Sequence, residues 1–150
     1  MAEEDTSSLI AQRQIRLEKV EKLRKMGIDP YPSNSSRTHN TVDITDKFDD
    51  LNGKEVTVVG RLMSWREHGH IAFGDLVDQS GKVQLYIKDD VLKDTNDKEQ
   101  IVGFKDLELI DIGDFVEITG EVTKTERGQI SVLAKTLKVL EKTIRPLPEK

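Results

Sequence analysis

"KEVTVVGRLMSWREHGHIAFGDLVDQSGKVQLYIK", residues 54–88, decides the fold. It reads as three strands, 54–65, 70–78 and 82–88, separated by the turn-length segments REHG and QSG. Two more strands follow at 114–124 (DFVEITGEVTK) and 129–141 (QISVLAKTLKVLE), joined by ERG. The interval between the third and fourth strands is long enough for a helix, expected around 97–104. Three strands, a helix and two strands is the order of the five-stranded Greek-key barrel called the OB fold, so a mainly β chain is expected. Gly60, inside the first strand, suits a bulge or sharp coil where one strand serves both sheets of a small barrel.

On the N-terminal side the apolar spacing of Leu9, Ile10, Leu17, Val20 and Leu23 is helical. Ser7 or Ser8 is expected as its cap and Gly27 as its end, and Asp29-Pro30-Tyr31-Pro32 forbids continuation. SNSSRTHN (33–40) reads as loop, and VDITDKFDDL (42–51) as one short helix closed by Asn52-Gly53. The expected organisation is therefore a helical extension and linker over 1–53, an OB-fold domain over 54–143, and a linker over 144–150. The closing TIRPLPEK, with two prolines, reads as extended chain leading to a further domain.

The 150 residues contain no cysteine, which excludes disulfides and thiolate chemistry and fits a reducing, cytoplasmic setting. No run exceeds three apolar residues and the start, MAEEDTSS, is acidic, so neither a membrane span nor a signal peptide is expected. A net charge of −5 argues against a global basic field for polyanions. A local one survives: over 9–26, Arg13, Arg16, Lys19, Lys22, Arg24 and Lys25 face only Glu18 and Glu21.

Strand faces narrow the site. Val83, Leu85 and Ile87 form a plain core series, which turns Gln84, Tyr86 and Lys88 outward. In the preceding strand Ala72, Gly74 and Leu76 share one face and Ile71, Phe73, Asp75 and Val77 the other; with Leu76 inward, Phe73 joins Gln84 and Tyr86 outside. An outward Phe beside an amide, with Arg66 near, can hold one unpaired nucleobase: the ring is a stacking platform, while Gln and Arg read its edge or hold phosphate. The alternative buries Phe73 under a loop or the N-terminal helix, and spacing alone does not choose between them.

Other candidates weigh less. His68 and His70 straddle Gly69, but without a third ligand no metal is expected there, and a hairpin tip touching solvent or RNA is the better reading. Trp65 is adjacent to the site, although tryptophan more often packs than stacks on a ligand. Asp49-Asp50 and Asp89-Asp90 read as solvated loop acids. No nucleophile with a base partner, phosphate-cradling Gly-rich loop or zinc-protease motif occurs, so no active site is expected in this chain.

LRKMGIDPYP (23–32), VVGRLMSWREHGHIAFGDLVDQSGKVQLYIKDD (58–90), LELIDIGDFVEITGEVTKTERGQISV (107–132) and RPLPEK (145–150) together resemble the N-terminal anticodon-binding region of class II lysyl-tRNA synthetases. The likeness covers about residues 15–150, turn lengths included. It implies that Phe73 stacks on the central anticodon uridine, that Arg66 contacts the same nucleotide and that Gln84 reads its edge. It also implies a role for Gln129, which stands where the family commonly has a glutamate reading a neighbouring base. An amide donates as well as accepts, so discrimination at that base differs from a carboxylate's. Trp65 occupies a commonly basic position, leaving the face less positive. The nucleic-acid-contacting set is then Phe73, Gln84, Arg66, Gln129, Trp65, His68 and Tyr86.

The resemblance implies an anticodon-binding module without catalytic residues or a cofactor of its own, whose partner is a tRNA anticodon loop rather than a membrane. The parent would be an ATP- and magnesium-dependent lysine-tRNA ligase, a homodimer held mainly through its catalytic domain, with this piece alone a monomer. Two other readings stay open. One is a general single-strand-binding OB protein or the anticodon domain of an aspartyl or asparaginyl ligase, and the other a barrel that docks another subunit.

Overall fold

A computed structural model describes residues 2–32 and 36–144, with side chains from Ser8 onward. Most of the expected 144–150 linker, and residues 33–35 of the expected loop, lie outside the described residues. The elements are α1 (Ala2–Lys25), α2 (Thr41–Asp46), α3 (Phe48–Leu51), β1 (Glu55–His68), β2 (Ile71–Val77), β3 (Lys82–Lys88), a 3-10 helix (Phe104–Leu109), β4 (Phe115–Lys124) and β5 (Ile130–Glu141). The strands close into a barrel in the order β1-β2-β3-β5-β4. Among the described residues β3 and β5 form the one parallel strand pair, and the other pairs are antiparallel. This is the expected five-stranded OB barrel.

Closure depends on the length of β1, which pairs with β4 over 55–61 and with β2 over 61–68. The strand thus changes partners at Arg61, beside the glycine expected to bulge. The ladder runs unbroken through Gly60, however, and the bulge lies at Met63, between Leu62 and Ser64. What Gly60 supplies is space: a Cβ there would sit 2.5 Å from the Val77 carbonyl oxygen.

The barrel interior is aliphatic. Val56, Val58, Leu62, Ala72, Leu76, Val83, Leu85, Ile87, Ile118, Val132 and Leu137 are all buried, and among the described residues no aromatic side chain belongs to the fully buried core. Small and branched residues suit the narrow interior of a five-stranded barrel, and the aromatics are displaced to its rim and outer wall.

α1 ends where Gly27 was expected to end it. Gly27 is at φ 81°, its N–H reaches the Arg24 carbonyl at 3.0 Å, and the Ile28 N–H reaches the Leu23 carbonyl at 2.9 Å. That is a Schellman motif, and its hydrophobic pair, Leu23 and Ile28, is buried in the barrel's own core. The helix begins earlier than Ser7 or Ser8, at Ala2. From Ser8 to Ile15 the helix is exposed, Leu9, Ile10 and Ile15 included.

Two other expectations need correction. The helix at 42–51 is two short helices broken at Lys47 (φ −112°, ψ 28°). The helix expected at 97–104 is absent: Asn96 Oδ1 accepts the Lys98 N–H at 2.9 Å in a turn, and Gln100 at φ 58° reverses the chain into an Asn96–Ile101 bridge. Asp94-Thr95-Asn96-Asp97 offers side-chain acceptors that compete with helical hydrogen bonds, so the helical segment starts later, as the 3-10 turn.

Polar side chains fasten the N-terminal segment to the barrel. Asp78, in the β2–β3 turn, accepts from the Thr41 N–H at 2.9 Å, the Thr41 hydroxyl at 2.7 Å, and the Ser80 N–H and hydroxyl and Gly81 N–H. Desolvation opposes its charge, but these donors outweigh it and hold the carboxyl at about 2. Below α1, Lys142 is fully buried, with its ammonium 2.5 Å from Asp114, 2.8 Å from Asp111 and 2.9 Å from the Leu109 carbonyl oxygen. From α1, Lys19 reaches Asp111 at 2.6 Å, and Arg16 donates to the carbonyls of Ile112 and Thr143 at 3.2 and 3.0 Å. Burial raises the Asp114 carboxyl above its ordinary value despite Lys142. Asp111 also meets desolvation, but the hydrogen bonds from Lys142 and Lys19 prevail and lower it.

Candidate nucleic-acid interface

The outer wall of β1, β2 and β3 carries a grid of side chains whose rows follow from the strand register. After the Met63 bulge, Ser64, Arg66 and His68 stand opposite Asp75, Phe73 and Ile71. These in turn stand opposite Gln84, Tyr86 and Lys88. β5 extends two rows, with Ser131 beside Gln84 and Leu133 beside Tyr86. The middle row is therefore Arg66, Phe73, Tyr86 and Leu133. Without the bulge a one-residue offset would turn Arg66 inward and Trp65 outward.

The hairpin joining β1 to β2 is tighter than expected. REHG is not a turn; pairing persists to His68 and Ile71, leaving Gly69 and His70 as a two-residue loop. Gly69 takes φ 63° at the first loop position, the type II′ arrangement. Arg66 and His68 are thereby strand residues, held in register with the aromatic row.

Phe73 and Tyr86 stack on each other, with ring centroids 5.0 Å apart and planes 10° from parallel. Both rings are half-buried. Tyr86 covers the β3-facing side of Phe73, so the ring face left open turns toward β1, where Arg66 is exposed. The Lys88 ammonium lies 5.9 Å from the Tyr86 ring centroid. A flat base entering between Phe73 and the guanidinium of Arg66 would meet an aromatic face on one side and a planar cation on the other.

The row beside it is fixed by hydrogen bonds. The Ser131 hydroxyl donates to the Gln129 carbonyl at 3.2 Å, so it accepts the Gln84 amide N–H at 3.1 Å. This sets the orientation of the carboxamide, leaving its oxygen and second N–H for another partner. Ser64 accepts the Asp75 N–H at 3.1 Å and donates to Asp75 Oδ2 at 2.9 Å. Ser64, Asp75 and Ser131 were not singled out in the sequence; the period-2 face that holds Phe73 also holds Asp75, which was the available signal.

The remaining candidates fall around this grid. Gln129 lies at the Gln84 end, exposed and tied to Ser131 through its carbonyl. His68 flanks Ile71 in the third row. Trp65 is on the other face of β1: it packs against the core opposite Gly74 and its indole N–H donates to Glu67 at 3.0 Å, so it does not join Phe73 and Arg66. His70 pairs with Asp89 at 3.0 Å, beside an open depression of about 530 Å³ lined by His70, Ile71, Lys88, Asp89 and Asp90. Among the described residues no group of three or more His, Cys, Asp or Glu side chains could hold a metal ion. No described helix is long and apolar enough to cross a membrane.

Likeness to known proteins is specific. A family model described as "OB-fold nucleic acid binding domain", of the tRNA anticodon type, matches residues 56–140. The lysine-tRNA ligase of Carboxydothermus hydrogenoformans is 43% identical over 136 residues, covering 91% of this chain and 26% of that protein. That of Clostridium perfringens is 42% identical over 148 residues, covering 98% of this chain and 28% of its own length. That of Pediococcus pentosaceus is 38% identical over 157 aligned positions, covering the whole of this chain and 30% of its own. The chain thus spans under a third of the length of the curated relatives it matches.

Proposed function

The chain belongs to the family of OB-fold nucleic acid binding domains of the tRNA anticodon type, and from that membership we propose that it reads the anticodon loop of a lysine tRNA as the anticodon-binding part of a lysine-tRNA ligase. The observation that carries this reading is the Arg66–Phe73–Tyr86 row with the oriented Gln84 beside it. The middle anticodon base, uridine, stacks on the open face of Phe73 under Arg66, while Gln84 meets a carbonyl or N–H on its edge. Gln129, at the same end of the grid, is placed for a neighbouring base, and His68 and Lys88 line the approach of the backbone.

The site does its work by shape and stacking more than by charge, since Asp75 stands on the same grid as Arg66 and Lys88, with Asp89 following Lys88 at its end. That mixture supports a selective reader over a general single-strand binder, which relies on phosphate contacts. Amino-acid activation, with its ATP and magnesium, would belong to the rest of such a ligase. A cytoplasmic location, dimerisation through that remainder, and division into an extension (1–53), a reading domain (54–143) and a linker (144–150) accompany the proposal.

The test is affinity for short anticodon stem-loops. Phe73→Ala, checked for folding by circular dichroism, should weaken the lysine stem-loop by about 1–3 kcal/mol. The wild-type chain should prefer it over loops with another middle base and over loops reading aspartate or asparagine codons. Equal binding of all loops and of a homopolymer would favour the general binder; no RNA binding at all would favour a protein-docking role.

A further inference from the structure

We propose that Asp75 is a specificity-determining residue of this face, accepting the N3–H of the uridine stacked on Phe73 and rejecting cytidine. The inference rests on the anticodon-loop reading and adds a residue to it.

Three observations lead there. Asp75 is two residues beyond Phe73 on β2 and so projects on the same side, between Ser64 on β1 and Gln84 on β3. Because Tyr86 covers the β3-facing side of Phe73, a base must use the β1-facing side, and its edge then lies nearer Asp75 than Gln84, which is one strand further away. Finally, the carboxylate is held in place. Ser64 takes the Asp75 N–H and donates to Oδ2, which leaves Oδ1 without a hydrogen bond among the described residues.

The chemistry of that oxygen is one-sided. An ionised carboxylate only accepts. Uracil presents a donor, N3–H, between two carbonyl oxygens, and the free N–H of Gln84 can meet one of those oxygens. Cytosine presents a lone pair at N3, which would face Oδ1 with no proton between them. A buried acceptor opposite an acceptor forfeits the bond and costs desolvation as well, which makes this arrangement a discriminator rather than a mere contact.

The experiment measures dissociation constants of the wild-type chain, Asp75→Asn and Phe73→Ala for stem-loops whose middle anticodon base is uridine, cytidine or 3-methyluridine. Asparagine preserves size and the Ser64 contact, and can turn a donor toward N3 of cytosine. Wild type should favour uridine over cytidine and over 3-methyluridine by roughly 10- to 100-fold, the range for a hydrogen bond to a charged group. Asp75→Asn should bring the uridine-to-cytidine ratio within about threefold. Phe73→Ala should weaken both loops together. An unchanged ratio in Asp75→Asn overturns the inference, as does tight binding of 3-methyluridine by wild type; the latter needs no variant to fold. Should Phe73→Ala leave every affinity unaltered, the failure lies with the stacking site itself, not with Asp75.

Discussion

Replacing Lys142 by methionine should be among the most destabilising single changes in the chain. The ammonium is fully buried and makes three contacts, to Asp114, Asp111 and the Leu109 carbonyl, and Asp114 has no solvent to replace it. Asp111 would keep Lys19. Asp114, itself fully buried, would retain only the N–H groups of Asp111 and Thr143, each at 2.8 Å. A buried charge stripped of its partner costs about 3–5 kcal/mol. For a domain of this size that lowers the melting temperature by about 6–20 °C. Urea and thermal denaturation followed by circular dichroism measure it. Adding Asp114→Asn should recover a large part, because the stranded charge goes with it. The deficit should also shrink as pH falls: the Asp114 carboxyl is already raised by burial, loss of Lys142 raises it further, and protonation at low pH relieves the folded state. A loss below about 1 kcal/mol, or a double variant no better than the single, would refute this account of the cluster.

Further outcomes follow from other sites. Asp78→Asn removes an acceptor that Thr41, Ser80 and Gly81 share, and should cost about 2 kcal/mol in urea denaturation. With its carboxyl at about 2 against an ordinary 3.8, the stabilisation from Asp78 is whole above that ordinary value and disappears as pH falls from there toward 2, so wild type and variant should converge in acid melts. Gly60→Ala places a Cβ 2.5 Å from backbone oxygen at the point where β1 changes partners, and should destabilise by about 2–3 kcal/mol, read by thermal melting. Ser131→Ala frees the Gln84 carboxamide to rotate, and should weaken a lysine stem-loop by about 0.5–1.5 kcal/mol in fluorescence anisotropy.

The barrel was legible because β2 and β3 alternate cleanly: Ala72, Leu76, Val83, Leu85 and Ile87 fell inside as period 2 required. The Gly27 stop was legible for a similar reason, since glycine is the residue that takes a left-handed cap at least cost. Less visible was anything decided by distance along the chain. Met63 carries no local mark of a bulge, and its position sets which of Trp65 and Arg66 faces the platform. The 97–104 segment has helical composition but is claimed by the Asn96 turn and by Gln100, whose carboxamide bonds the backbone at Gly27 and Asp29. Of the site, Phe73, Tyr86 and Gln84 could be assigned to one face by spacing. The orienting hydroxyls of Ser64 and Ser131 could not, because the first is turned outward by the Met63 bulge and the second is reached through β3–β5 pairing, which joins residues 47 apart in sequence.

The central claim is that one unpaired uridine lies against the open face of Phe73. Nuclear magnetic resonance of the labelled chain titrated with a lysine anticodon stem-loop tests it directly. The ring protons of Phe73 should move upfield and show contacts to H5 and H6 of the middle uridine, with Arg66, Asp75 and Gln84 shifting alongside, while Phe48, Phe104 and Phe115 stay in place. Saturable binding that leaves the Phe73 ring unmoved and concentrates its shifts on another surface would contradict the account.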